Sequence, residues 1–413
     1  MSPATTLIPG MGTQKSRVGI LLAAIVISGI TTFMFYPLIA LELIARGQSP
    51  GSAGLILGFL SGTGLILSGV IGSLNARLGS KALAVAGLVV RTAGLLVFAF
   101  PVGTPVYIVG AIVASLGSSA NGLAIKTELM RTSASRNTIT LRSIAVNLGA
   151  LVGPSVGGLL YLKISFTQIV YLATASYVLL AVVLAFVKFQ PPEADAAEAH
   201  AAKADTAAAQ ATVAPHPAAN SGRGSTGLDG PFVLLLVCTF CYWAIYSQWN
   251  LVVPIYATAG FGTHLGSSWI FTGNAVLILA LQYLLIVKAL KNIAAEIILG
   301  AGFVLFEVAF LILLTSPSII SAIAFATVFS LAELLISPTL DEVTAQLRQS
   351  GSGLTKAFGI TATVSGVASL LCSFGGGRLI DTFDAAGGVG ALTLPVGLVG
   401  IGCAVALSRR KTP

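Results

Sequence analysis

The chain has 413 residues, of which 55% are hydrophobic and only 9% charged, and its mean hydropathy is +0.94. A soluble globular domain carries about 25% charged residues, so this composition excludes one and points to a protein dissolved in lipid. The net charge of +8 does not imply a nucleic-acid partner, because the basic residues follow a topological pattern.

Apolar stretches long enough to cross the hydrocarbon core recur along nearly the whole length. Hydropathy predicts about twelve of them, near 18–40, 53–74, 82–100, 105–129, 138–161, 167–189, 231–257, 268–290, 294–315, 317–340, 353–377 and 388–408. The first follows Lys15 and Arg17, as the apolar core of a signal peptide would. It is longer than the roughly 7–15 residues of such a core, and many spans follow it, so it reads as a transmembrane helix. Basic residues then collect in alternate loops: Arg77 and Lys81, Lys126, Arg131 and Arg136, Lys188, Lys203 and Arg223, Lys288 and Lys291, Arg348 and Lys356, and Arg409 to Lys411. Arg46, Lys163 and Arg378 alone fall in loops of the other parity. By the positive-inside rule both termini are expected in the cytoplasm.

In the first span, Thr31, Thr32, Phe33, Phe35 and Tyr36 surround Pro37, a mix suited to a cavity wall. Arg91 lies inside the third span, at the depth of Asn121 in the fourth and Asn147 in the fifth. An ionised group in hydrocarbon calls for a functional or pairing explanation. For Arg91 a structural latch with these asparagines and a coupling role both stand. Arg142 lies near the surface and can snorkel to phosphate. Glu42 and Glu128, at span ends, are expected to be solvated.

The fifth span carries Gly149-Ala-Leu-Val-Gly153-Pro154-Ser-Val-Gly157-Gly158. Glycines four apart clear one helix face for backbone-to-backbone packing. Pro154 breaks the hydrogen-bond ladder, so a kinked helix at a moving interface is expected. From Gln190 to about Gly230 the composition turns to Ala, Pro, Gly and Ser, which reads as a flexible cytoplasmic linker. It divides the chain into an N-terminal six-helix bundle (1–189) and a C-terminal one (231–413).

In the seventh span, Tyr242, Tyr246 and Trp249 fall on one helix face, beside Trp243, Gln248 and Asn250. Such a surface would accept a planar or amphipathic ligand. Trp249 and Tyr256 fit an interfacial aromatic belt as well, whereas Tyr242 and Tyr246 lie too near mid-span for one. Glu307 in the ninth span has a scaffold or a coupling role. Glu333 in the tenth is the foremost candidate for proton coupling. Burial favours the neutral form of a carboxyl and a nearby cation the charged form, so a carboxyl that alternates between the two can carry protons. Its structural alternative is a pair with Arg348.

Cys238, Cys241, Cys372 and Cys403 all lie in spans, and Cys238-Thr-Phe-Cys241 reads as two packed thiols. His200, His216 and His264 lie in loops without ligand spacing, so neither metal nor cofactor is expected. The halves repeat at a nearly constant offset, pairing Ser115-Leu116 with Ser330-Leu331, Gly157-Gly158 with Gly375-Gly376, and Arg91 with Glu307. An all-α membrane protein of twelve helices in two six-helix repeats, with a site at their interface, follows.

The fifth-span pattern G-x-x-x-G-P-x-x-G-G resembles the antiporter signature of the drug:proton antiporters, a branch of the major facilitator superfamily. The loop Gly72-Ser-Leu74-Asn-Ala76-Arg77-Leu-Gly79-Ser-Lys81 is similar to that superfamily's signature between spans two and three. Gly72, Leu74, Arg77, Gly79 and Lys81 match it, while Ala76 stands where the family has an acid, so the charge-relay latch is missing. Ser118-Ser-Ala-Asn121-Gly122 resembles the fourth-span signature with Ser118 at its arginine position, for which Arg91 could substitute. The resemblance implies a multi-pass protein of the cell membrane, a monomer, exporting small hydrophobic or amphipathic compounds in exchange for protons by alternating access. A proton-coupled transporter of a polar nutrient such as a sugar is the alternative within transport, and a non-transporting sensor of the same fold is another. An enzyme would need a convergent catalytic set, and no histidine lies firmly within a span.

Overall fold

The computed structural model describes residues 11–132, 136–189, 229–282, 284–285, 289–290, 292–315, 318–347, 351–383 and 385–409. The linker at 190–230 lies almost wholly outside the described residues, as do Arg348, His200 and His216. Among the described residues the secondary structure is helical, with no strand. The spans are Met11–Ala45, the bent pair Pro50–Ile66 and Ser68–Leu78, Ser80–Leu96, Thr104–Thr132, Arg136–Tyr161, Phe166–Phe186, Gly230–Phe261, Leu265–Gln282, Ala295–Leu313, Ile319–Leu347, Gly351–Thr382 and Ala385–Arg409. Eleven helices are long and apolar enough to cross a membrane, and the bent pair makes a twelfth.

Local chemistry sets the helix ends. Ser49 caps the second span through the amide of Ser52, with Pro50 opening it, where a missing N–H costs nothing. Ser165 and Gln168 form a reciprocal capping box at the sixth. Gly79 turns the chain between the second and third spans at φ +80°, a conformation that a Cβ disfavours.

The two sets of six helices use the same neighbours. Spans one and five, three and four, two and four, three and six, and one and six pack together. Their counterparts, seven and eleven, nine and ten, eight and ten, nine and twelve, and seven and twelve, do likewise. Across the halves the main contacts are span two on eleven and five on eight. Lipid tails are as apolar as leucine, so these contacts depend on close packing and hydrogen bonds. Gly149 meets Gly29 backbone to backbone, and Gly153 and Gly157 lie against Ile30 to Met34. The glycine face of the fifth span therefore packs on the first span inside its own half. The motif's contact with the other half comes from Gly158 against Ser268 and from Ser155 hydrogen-bonded to Thr272 at 2.8 Å. The helix runs unbroken through Pro154. Among the described helices, the break above 40° is instead a 53° bend in the second span, at Leu67, where there is no proline.

The halves are fastened at one end. Gly54, Gly58 and Gly62 of the second span lie against Ser373, Leu370 and Gly366 of the eleventh. At the tip, Asp381 Oδ2 accepts hydrogen bonds from Ser49 Oγ and the Gly51 amide, each 3.1 Å. Tyr161 and His264 add an edge-to-face contact at that end. It is the end that the positive-inside pattern places away from the cytoplasm.

Of the two acids expected in water, Glu42 is paired and partly buried and Glu128 is buried. The first span extends past residue 40 to Ala45, so Glu42 is held in the helix, accepting from Arg46 at 2.7 Å and from the Tyr161 hydroxyl at 3.1 Å. Arg46 also donates to the Phe98 and Phe100 carbonyls and to Tyr107, joining the first, third and fourth spans. Glu128 is 0% exposed, because the fourth helix continues to Thr132 and buries it.

A Cβ at Gly157 would overlap the Met34 carbonyl, whereas Gly402 has nothing within 4 Å. Gly157→Ala should lower stability by about 1–3 kcal/mol, the usual cost of overpacking, and Gly402→Ala should not lower it. Thermal unfolding of the two variants in one detergent checks both.

Candidate functional site

Between the halves lies a cavity of about 360 Å³, within the range of roughly 300–1,000 Å³ typical of small-molecule sites. Thr32, Phe33 and Tyr36 reach it from the first span, Ser61 from the second, and Val146, Asn147 and Ala150 from the fifth. The opposite wall is Trp243, Tyr246, Ser247, Trp249 and Asn250 of the seventh span, Phe271, Asn274, Ala275 and Ile278 of the eighth, and Glu333 of the tenth. Glu333 is its sole ionisable acid. Asn274 Nδ2 donates to Glu333 Oε2 at 2.9 Å and to Ser330 Oγ at 2.9 Å, and Tyr246 lines the cavity beside that carboxyl. A carboxyl so placed is oriented by the Asn274 amide and still faces the cavity.

The aromatic wall is built in layers. Tyr246 stacks on Tyr242 (centroids 5.6 Å apart) and meets Trp243 edge-on at 5.5 Å. Trp249 stacks on Phe329 at 4.4 Å and leans on Phe271 at 5.4 Å. These offset and edge-on geometries are the favoured ones for aromatic pairs.

Of the residues singled out in the sequence, the cavity brings together Tyr36, Asn147, Trp243, Tyr246 and Glu333. Tyr242 is buried one layer behind, between Tyr246 and Phe306. Gln248 is 0% exposed and donates to the Cys372 carbonyl at 2.7 Å, tying the seventh span to the eleventh beside Gly376. Asn121 is buried and donates to the Ala84 carbonyl at 3.1 Å, joining the fourth span to the third. Both amides serve packing rather than the cavity. Trp249 and Tyr256 are not in an interfacial belt: Trp249 lines the cavity, and the Tyr256 hydroxyl bonds Thr315 and Ser321 inside the protein.

Arg91 does not cluster with the asparagines. It donates to Thr32 Oγ1 at 2.7 Å and Ser28 Oγ at 3.3 Å, and lies 4.3 Å from the Tyr177 ring centroid. It therefore stands behind the cavity wall, reaching it through Thr32. Glu307 is remote from the cavity, its carboxyl lying on Gly397 of the twelfth span. Arg77 and Lys81 are exposed, and Gly72 has nothing within 4 Å, so the loop signature is present without a latch partner in contact. All four cysteines are free. Among the described residues no group of three or more His, Cys, Asp or Glu could hold a metal ion.

Asn274, Phe271 and Ser61 were missed from sequence. Asn274 had a signal, as the amide in an otherwise apolar run, Phe271-Thr-Gly-Asn274-Ala-Val; Ser61 and Phe271 had none.

Residues 21–267, more than half of the chain, match the Major Facilitator Superfamily. The chain belongs to that superfamily. Among its relatives is the multidrug resistance protein MdtH of Aeromonas salmonicida (strain A449), 24% identical over 373 residues that cover 89% of each chain. The uncharacterised MFS-type transporter YttB of Bacillus subtilis (strain 168) is 26% identical over 361 residues, 84% of this chain and 83% of that one. Among solved structures, a POT family transporter in complex with 5-aminolevulinic acid superposes with a TM-score of 0.74 at 16% identity, over 95% of each chain. The nucleoside transporter NupG gives 0.75 at 12%, covering 97% of this chain and 100% of that one. At such identities the structural likeness shows the fold alone, a membrane transporter's twelve-helix arrangement.

The layering separates two tyrosines that look equivalent in sequence. Tyr246→Ala should raise the apparent KM for a transported aromatic compound while leaving the melting temperature nearly unchanged. Tyr242→Ala should instead lower stability by about 3 kcal/mol, as loss of a buried ring does. Transport kinetics and thermal unfolding on the same preparations tell the two apart.

Proposed function

We propose that this chain is a secondary active exporter of small hydrophobic or amphipathic compounds, driven by proton antiport. The observation that carries the reading is the composition of the cavity: a layered aromatic wall with one carboxyl, Glu333, held by Asn274 and set beside Tyr246. Aromatic faces bind planar apolar groups with few directional demands. A single acid beside them accepts either a proton or a cationic group of the substrate. Competition between the two at one carboxyl couples their movements in opposite directions. The similarity to MdtH supports the same reading.

In this scheme the bundles 1–189 and 231–413 rock about the cavity, with the linker 190–230 between them and both termini in the cytoplasm. The fastened end is the outer one, so the conformation is closed to the outside. Alternating access then requires the seam of spans two and eleven to part and the opposite end to close.

A second reading has an observation of its own. Asn147, Asn250 and Asn274 all line the cavity, and three amides there suit a polar nutrient with several hydroxyls. Vesicles carrying an imposed pH gradient and offered amphipathic cations or sugars in parallel separate the two: accumulation of sugars alone overturns the export of amphipathic compounds.

Glu333→Gln keeps the shape and the hydrogen-bonding capacity of the side chain but cannot titrate. Uphill transport driven by the pH gradient should fall at least tenfold, while downhill exchange of a neutral substrate persists. Uphill transport retained in this variant would place coupling elsewhere, with Glu307 and Arg91 the next to substitute.

A further inference from the structure

The seam between the second and eleventh spans is fastened along only part of its length. From Gly54 to Gly62 the helices touch through backbone and small side chains. At Leu67 the second span turns by 53°, and beyond the bend its contact with the eleventh is sparse. Around the bend the facing surfaces are Ile66, Gly69 and Val70 on one side and Gly359, Ile360 and Val364 on the other. They line an open groove of about 920 Å³. Neither Gly69 nor Gly359 has anything within 4 Å.

The walls say what fits there. The one hydroxyl among them, Thr363 Oγ1, donates to its own helix at the Gly359 carbonyl, 3.0 Å away. A space with so few polar partners is poorly suited to ordered water and suits an acyl chain. Lys356, in the second turn of the eleventh span and exposed, also lines the groove. Among the described residues it makes no ion pair. An ammonium at that level, on an apolar stem, meets the phosphate of a lipid headgroup.

We propose that this gap is a binding site for an acidic membrane phospholipid, its acyl chain between spans two and eleven and its headgroup phosphate on Lys356. The bound lipid stands where the lower seam would have to close. It therefore stabilises the arrangement seen here relative to any in which the seam is fastened along its whole length, because only the open seam accommodates it. The site is independent of what the central cavity transports.

The test uses the purified full-length protein, depleted of lipid and titrated with phosphatidylglycerol or phosphatidylcholine, with bound lipid counted by native mass spectrometry. The wild type should bind phosphatidylglycerol in preference. Lys356→Gln should weaken that binding about fivefold, the effect of one basic residue at an anionic headgroup, and leave phosphatidylcholine unchanged. Lys356→Arg should bind as the wild type does. Lys188→Gln, at the exposed end of the sixth span, should lose nothing. Gly359→Leu fills the gap and should reduce both lipids. The proposal is overturned if Lys356→Gln binds phosphatidylglycerol like the wild type, if Lys356→Arg or Lys188→Gln loses as much as Lys356→Gln, or if Gly359→Leu has no effect.

Discussion

Close approach of helix backbones in lipid is the constraint on which the rest of this structure depends. A soluble bundle is driven together by burying apolar surface from water, but between helices already in hydrocarbon that drive is absent. What remains is dispersion over a tight contact, and only small residues allow it at backbone distance. Gly29 on Gly149 and Met34 on Gly157 lock the first span to the fifth, Gly87 and Gly94 lock the third to the fourth, and Gly54 to Gly62 fasten the halves. Beyond the bend at Leu67, where the contact becomes sparse, a groove opens. Fastened and open parts of one seam are thus consecutive segments of the same helix pair.

The same economy governs polar groups. Each costs free energy in hydrocarbon unless it finds a partner; many hydroxyls bond a carbonyl of their own helix, and the larger polar side chains join helices. Glu42 and Arg46 form a cluster with Tyr107 and Tyr161, Asn121 ties two helices through a carbonyl, and Gln248 does so across the seventh and eleventh. Arg91 is satisfied by hydroxyls and a tyrosine face. Glu333 differs in that its hydrogen-bond partner, Asn274, is itself a cavity residue. A change in what fills the cavity is therefore felt at its carboxyl without any rearrangement of the scaffold.

This explains which parts of the protein were legible in its sequence. Hydropathy and loop charge are properties of short windows, so the number and place of the spans could be read directly, and Glu333, Tyr246 and Asn147 stood out as polar or aromatic residues inside them. The roles of Gln248, Asn121 and Tyr242 could not be read. Whether an amide at mid-span faces a cavity or a neighbouring carbonyl depends on the rotation of its helix, and on a helix apolar all round no periodicity reports that rotation. The helix continues unbroken through Pro154, while the second span bends at Leu67 beside the Ser68-Gly69 pair, a kind of local sequence at which helices kink.

The two repeats share their helix pairings but not their chemistry, and the difference bears on function. In the first half, spans three and four meet through Gly87, Gly94, Gly110 and Gly117. In the second half the corresponding spans nine and ten meet through rings: Phe306 and Phe310 contact Phe329, and Phe310 contacts Phe325. Phe329 then stacks on Trp249 and leans on Tyr246, both of which line the cavity. A thick aromatic layer thus stands behind the wall that carries Glu333, giving a broad, polarisable surface on rigid helices. The glycine-packed half supplies close backbone contacts instead. Under the proposed function, the aromatic repeat carries the recognition surface, while the first repeat, in the same architecture, is held by glycine contacts.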